Sequence, residues 1–250
     1  MIMKYVLIVI GTLLVLWLAF YLLSWIFIAI VSITVPMKKV YDKPSKFYYR
    51  LFNYGYWLIC HHARVKIHTS GTEKIPNDGT RFLFISNHRS KFDNMIHSLT
   101  MKKQFLAFIS KTANFKIPMG RHFMQRSCYI ATEQNNIKSG LNAVLRAISL
   151  IKSDATSIAV FPEGTRSKDN TLLEFKPGCF KIAEKTKCPI VVGVIQGTEK
   201  IHKNWPWKKT DTYFDIIDVI YPNQLEGKGT VEISDYIYKE MNDFLVNNPK

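Results

Sequence analysis

The chain has 250 residues, with 34 Lys and Arg against 19 Asp and Glu, for a formal net charge of +15. That length suffices for one domain with a sizeable core plus a membrane segment, and the positive excess suits phosphate-bearing substrates or an anionic lipid surface. The basic residues are spread along the chain with no nucleic-acid-binding motif, so no nucleic acid is expected as a partner, and Cys60, Cys128, Cys179 and Cys188 lack paired spacing, which argues for reduced thiols rather than a disulfide framework.

Tyr5 to Met37 carries no charge and is rich in Leu, Ile, Val, Trp and Phe. The run exceeds the ~18 apolar residues that suggest a spanning helix, and it is longer and bulkier than a signal-peptide core. Residues 1–37 are therefore expected to be a retained transmembrane anchor. As one helix, the ~30 residues before Pro36 would reach ~45 Å against a hydrocarbon core of ~30 Å, so the helix must tilt, protrude or bend back. Lys4 alone precedes the run, whereas Lys38, Lys39, Lys43, Lys46 and Arg50 follow it. The positive-inside rule then predicts a single anchor in the cell membrane with the bulk of the chain on the cytoplasmic side.

Residues 38–63 mix Lys46 and Arg50 with Phe47, Tyr48, Tyr49, Phe52, Tyr54, Tyr56 and Trp57. This composition predicts an amphipathic, aromatic helix at headgroup level; a core helix of the following domain is the competing reading. Cys60, His61, His62 and His68 lie close in sequence but lack the paired spacings of a zinc site, and no metal is assigned.

Residues 64–250 read as an α/β domain. Val65–His68 alternates as a strand, and Phe82–Ile85, after the turn residues Asn77-Asp78-Gly79, is a short apolar run typical of a buried strand. Asn94–Leu99 is helical in character. His88 thus falls where a strand ends, and Asp93 where a helix begins, a place that suits a carboxylate. Five apart on one helix, the two side chains would point about 140° apart; across a strand-to-helix turn they can meet. A carboxylate on one imidazole nitrogen fixes the tautomer and leaves the other nitrogen a base. The attacking hydroxyl would then belong to a substrate; an ordinary loop histidine beside a helix cap is the competing reading.

Gln104–Ile109 is a further strand. Asn136–Ile151 spaces Leu141, Val144, Leu145, Ile148 and Ile151 by threes and fours, which predicts a helix packed on the sheet. Ile158–Val160 leads into Phe161-Pro162-Glu163-Gly164-Thr165-Arg166-Ser167. Phe180–Lys187 reads as a helix, Pro189–Ile195 and Tyr213–Ile220 as strands, and Val231–Val246 as a closing helix with Ile233, Ile237, Met241, Phe244 and Leu245 in period. The fold class is α/β, a central mostly mixed sheet flanked by helices, preceded by a transmembrane helix and an interfacial helix.

Asn87-His88 with Asp93, and Phe161 to Ser167, match at every fixed position the first and third motifs of the glycerolipid acyltransferases, the 1-acylglycerol-3-phosphate acyltransferase family. The chain resembles that family over roughly residues 64–220. Lys111 before Pro118 and Gly120, and Phe175-Lys176-Pro177-Gly178, are further shared features. There are two departures: Ala131 and Thr132 stand where the second motif carries aspartate and arginine, and Gly193 stands where the fourth usually has proline.

The resemblance implies a membrane-bound enzyme that moves a fatty acyl group from acyl-CoA or acyl carrier protein to the sn-2 hydroxyl of lysophosphatidic acid, giving phosphatidic acid for phospholipid biosynthesis. No metal and no cofactor beyond the acyl donor is implied. His88 would be the general base and Asp93 its orienter. Lys111, Glu163, Gly164, Thr165 and Arg166 would bind substrate. In that set Arg166 is a fork for phosphate, Lys111 a point charge and Gly164 a place of close backbone approach. Glu163 would either touch substrate or hold the turn, and the amides of residues 163–165 would be oxyanion donors. Thr132 brings no charge to an acceptor phosphate and Glu133 would repel one, unless Arg121, Arg126 or Arg166 compensates. A different lysolipid acceptor therefore stays open, as does a lipid-binding protein of the same fold without turnover. A hydrolase fits less well, because no G-x-S-x-G nucleophile elbow is present.

Overall fold

In the computed structural model, which describes residues 1–250, the apolar runs of the domain become strands and the stretches of helical period become helices. The order is α1 (Ile2–Ile33), α2 (Lys46–His62), β1 (Val65–Ser70), β2 (Leu83–Ser86), α3 (Asp93–Thr100), β3 (Leu106–Lys111), α4 (Gly120–Arg126), β4 (Ile130–Thr132), α5 (Ile137–Lys152), β5 (Ser157–Val160), α6 (Lys181–Thr186), β6 (Ile190–Gln196), α7 (Ile201–Asn204), β7 (Thr210–Ile220) and α8 (Thr230–Asn247).

The seven strands form one sheet in the order β1-β7-β6-β2-β5-β3-β4. All neighbours pair in parallel except β6 and β7. β2, β5 and β6 are buried at every position. Burial on both faces explains why they read as unbroken apolar runs rather than alternating ones. The carboxy ends of β2, β3, β4, β5 and β6 share one edge of the sheet. β1 and β7 run the opposite way, so both begin at that edge. The loops that leave β2, β5 and β6 therefore converge there, the usual place for a ligand site in an open α/β sheet.

Gly193 is where β6 changes register against β7. A Cβ there would lie 2.7 Å from Cε2 of Phe84 and 2.8 Å from Cε2 of Phe214. The edges of two buried rings thus fill the space a side chain would need, which accounts for glycine where the family usually has proline.

α1 docks on the domain only through its last third. Ser24, Ile28 and Ser32 are its buried residues. Ser24 Oγ meets Tyr54 Oη at 2.8 Å, Thr34 Oγ1 meets Tyr48 Oη at 2.7 Å, and Tyr21 meets His61. Residues 21–33 thus run antiparallel along α2, Trp17 and Leu18 border an apolar cavity shared with the domain, and residues 2–16 stand clear. α2 has two characters. Eight of its seventeen residues are buried, and Tyr49 Oη accepts a 3.0 Å hydrogen bond from the amide of Leu106. Phe47 and Trp57 on the same helix remain exposed. Cys60 is buried and His68 bonds Asp211 at 2.7 Å, so the cysteine and histidines of this stretch go to separate partners.

α5 differs from its predicted face. Ile151 is buried and Val144 and Ile148 are half-buried, but Leu141 and Leu145 are exposed. The inner face is completed by Ala143, Ala147 and Leu150 instead. Large apolar residues defined the expected stripe; small alanines allow closer approach to the sheet and take the central line.

Candidate active site

β2 is closed at its end by Asn87. Its Nδ2 donates to Ile195 O at 2.9 Å, and its Oδ1 accepts from Ile195 N at 2.8 Å. This two-bond clasp extends the β2–β6 pairing past the last paired residue and fixes the direction in which the next residue leaves. That residue is His88. The chain then turns through Arg89 to Phe92, and Asp93 opens α3.

The turn brings the predicted pair together. His88 Nδ1 lies 2.8 Å from Asp93 Oδ2. The same oxygen accepts from the amides of Arg89 at 2.6 Å and Ser90 at 2.8 Å, and Oδ1 accepts from Thr198 Oγ1 at 2.6 Å. Asp93 is fully buried. Its carboxylate reaches back into the turn rather than forward to the first amides of α3. Because a carboxylate only accepts, Nδ1 carries the proton and Nε2 is the basic nitrogen. Nε2 makes no hydrogen bond within the chain, and the His88 side chain keeps 21% of its exposure. Thr198 lies 105 positions from Asp93, in the turn after β6, and no signal in the local sequence links the two.

Behind His88 the surroundings are apolar. Its ring stacks on Phe161 with centroids 4.1 Å apart and planes 15° apart. Phe161 in turn lies beside His97, which is fully buried among Phe84, Phe108, Phe161 and Phe214. Burial pushes the His97 imidazole down to about 3, so it is a neutral wall at neutral pH.

The bend after β5 is tied directly to His88. Glu163 Oε1 accepts from the His88 amide at 2.6 Å, Glu163 Oε2 accepts from the Leu173 amide at 3.0 Å, and the Ser167 amide donates to His88 O at 2.9 Å. Both Glu163 oxygens are thus engaged by backbone, and the side chain ties the His88 turn to the bend after β5. Burial pushes its carboxyl up to about 7, against the opposing effect of the two amides. Gly164 has φ +67°, and a Cβ on it would meet Cε and Nζ of Lys176 at 3.1 Å. The Lys176 chain thus lies over this turn, a contact that sequence reasoning did not assign.

Among the expected oxyanion donors, the Gly164 amide is taken by Phe161 O at 3.0 Å. Those of Glu163 and Thr165 have no acceptor within the chain. Arg166 is exposed and its guanidinium has no ion pair, one position from the Ser167 amide that bonds His88. His88, Asp93, Glu163, Gly164, Thr165 and Arg166 are therefore gathered by two loops. Lys111 stands apart: it ends β3, with β5 between it and β2, and its Nζ donates to Gln134 Oε1 at 2.9 Å. It shares the edge but not the contacts. Thr132 is paired in register with Lys111 and adds no charge.

A base with a free nitrogen, a buried orienter, unengaged amides and an unpaired guanidinium can activate a hydroxyl beside an anionic group. A 1-acyl-sn-glycerol-3-phosphate acyltransferase of Brassica napus, a chloroplastic protein, is 38% identical over 136 residues, which is 54% of this chain and 39% of that protein. One from Borreliella burgdorferi is 29% identical over 142 residues, 57% of this chain and 54% of that protein. The chain thus spans well under two thirds of the length of these relatives. The crystal structure of the 1-acyl-sn-glycerophosphate acyltransferase PlsC from Thermotoga maritima superposes with a TM-score of 0.62 at 24% identity, covering 79% of this chain and 81% of that one, so the fold is shared. A family model described as Acyltransferase matches residues 66–196, more than half of the chain, and the chain belongs to that family.

Proposed function

We propose that the protein transfers a fatty acyl group from a thioester, acyl-CoA or acyl carrier protein, to the sn-2 hydroxyl of lysophosphatidic acid, giving phosphatidic acid. The observation that carries this reading is the 2.8 Å contact of His88 Nδ1 with buried Asp93, which leaves Nε2 free. The acceptor oxygen attacks the thioester carbonyl as its proton passes to Nε2. The tetrahedral oxyanion is met by unengaged amides of the 163–165 bend, and Arg166 faces the phosphate. Collapse of the intermediate breaks the carbon–sulfur bond, and the thiolate takes the proton back from the imidazolium. Asp93 stabilises that imidazolium without itself being protonated.

α1 supports a membrane site for this chemistry. Its mean hydropathy reaches 2.8 over a window with no buried residue. Residues 2–20, of which Trp17 and Leu18 border the domain, would reach ~28 Å, close to a hydrocarbon core of ~30 Å. The excess length noted in the sequence is the part docked on α2. The charge asymmetry around the helix supports a cytoplasmic position for the domain, and anionic lipid suits its net charge.

The test is acyl transfer by the purified protein. His88→Ala should lower the rate by roughly 10²–10⁴-fold, the usual contribution of a general base. Equal rates would remove the proposed base. An acceptor panel addresses the second reading, which Thr132 favours. If another lysolipid is acylated while lysophosphatidate is inert, the acceptor is the other lipid.

A further inference from the structure

Residues 200–209 read Lys-Ile-His-Lys-Asn-Trp-Pro-Trp-Lys-Lys, with four lysines, two tryptophans and no carboxylate. The segment leaves the carboxy end of β6 and returns as β7, so it lies on the same edge of the sheet as His88. His202 sets its ring against Phe92, in the His88–Asp93 turn, with centroids 5.5 Å apart.

Two features of this segment are unusual for a surface loop. The first is that its backbone is fixed while its largest side chain is presented outward. Arg64 Nη1 donates to Pro206 O at 3.0 Å and to Trp207 O at 2.9 Å, and Trp205 Nε1 donates to His62 O at 3.2 Å. Trp207 is nonetheless 85% exposed. A tryptophan side chain displayed to water from a fixed backbone gains almost nothing from folding, so its apolar area is available to another phase. The second is position. Trp17, Leu18, Tyr21 and Trp25 of α1 and Ile201, His202 and Trp205 of this segment line one apolar cavity of about 430 Å³. The segment therefore lies against α1 where that helix leaves the domain and its exposed portion begins.

We propose that residues 200–209 form a second membrane contact, which inserts Trp207 at headgroup level while Lys203, Lys208 and Lys209 bind anionic lipid. Indole rings favour the headgroup region, and lysines beside an anionic leaflet are attracted to it. The three lysines are exposed. The neighbouring acids do not cancel them: Glu199 faces Arg89 at 3.9 Å, and Asp211 is shared by His68 at 2.7 Å and Lys66 at 3.9 Å. With α1 as one attachment, a second on the same edge fixes the tilt of the domain. It holds the His88 edge toward the bilayer, where an acceptor lipid and its product reside. The inference rests on the reading of α1 as a spanning helix, and it names the surface and lipid charge that this reading leaves open.

The experiment reconstitutes the full chain into phosphatidylcholine vesicles with and without phosphatidylglycerol, carrying brominated chains as quencher. The Trp207 emission is obtained as the difference between the wild type and Trp207→Phe, and flotation is recorded for each sample. With phosphatidylglycerol the Trp207 component should be blue-shifted and quenched. The Lys203→Gln, Lys208→Gln, Lys209→Gln combination should reduce that quenching about twofold or more, as should phosphatidylcholine alone. A chain that floats while its Trp207 component is unquenched overturns the second contact and leaves α1 as anchor; a blue shift without quenching would assign the surface to another protein copy. Quenching that ignores both lysines and lipid charge overturns the anionic partner. A chain that fails to float overturns the membrane reading of α1 and this proposal together. Trp207 and the lysines are solvent-exposed, so the variants keep the fold.

Discussion

Thr198 holds the oxygen of Asp93 that does not face His88, at 2.6 Å. A hydrogen bond to a buried charged group is worth ~1.5–3 kcal/mol. Thr198→Val should therefore lower kcat by about tenfold or more with little change in KM, and Thr198→Ser should retain activity; steady-state kinetics on the two variants decides it. Glu163 acts on the same centre from the other side. Its carboxyl, near 4.5 when exposed, is pushed up to about 7 by burial. The native state thus binds a proton more tightly than the unfolded chain does. The resulting stabilisation is complete below about 4.5 and is lost as pH rises through about 7. Thermal unfolding in detergent should show stability falling across that window, and Glu163→Gln, which does not titrate, should lack that component of the slope. The pairing of His88 with Asp93 was legible in the sequence because strand end and helix start follow from local pattern. Thr198 was not, because its approach to Asp93 depends on β6 lying beside β2.

At the scale of elements, β6 shows how a local exception carries a packing requirement. Phe84 and Phe214 approach Gly193 from β2 and β7, so Gly193→Ala would force an overpacked contact at 2.7 and 2.8 Å. The expected cost is about 1–3 kcal/mol, read as a lower midpoint of thermal unfolding. α5 makes the complementary point. Its period was correct and its rotation was not, because Ala143 and Ala147 face the sheet while Leu141 and Leu145 face outward. Apolar periodicity tells that a helix has an inner face. Which residues occupy the centre of that face depends on how near the sheet comes, and a single sequence does not encode that distance locally.

The whole molecule separates into a docked domain and a free helical extension. Removing residues 2–16 should abolish co-flotation with vesicles of phosphatidylcholine alone while preserving the far-UV circular dichroism of the domain, because the contacts of Ser24 with Tyr54 and of Thr34 with Tyr48 remain. Loss of the domain signal would show that the extension is part of the fold. By itself the sequence determined the apolar helix, the α/β class, six of the seven strands and the two motifs, since each is written in contiguous residues as period, turn chemistry or spacing, whereas β4, three residues long, was not among the expected strands. The tertiary structure alone decided that Glu163 braces the His88 turn, that Lys111 stands a strand away from it, that α1 divides into docked and free parts, and that Trp207 is held outward on the His88 edge. Those facts depend on strand order and on the reversed direction of β1 and β7, which bring together residues far apart in the chain, and no local pattern records such distances.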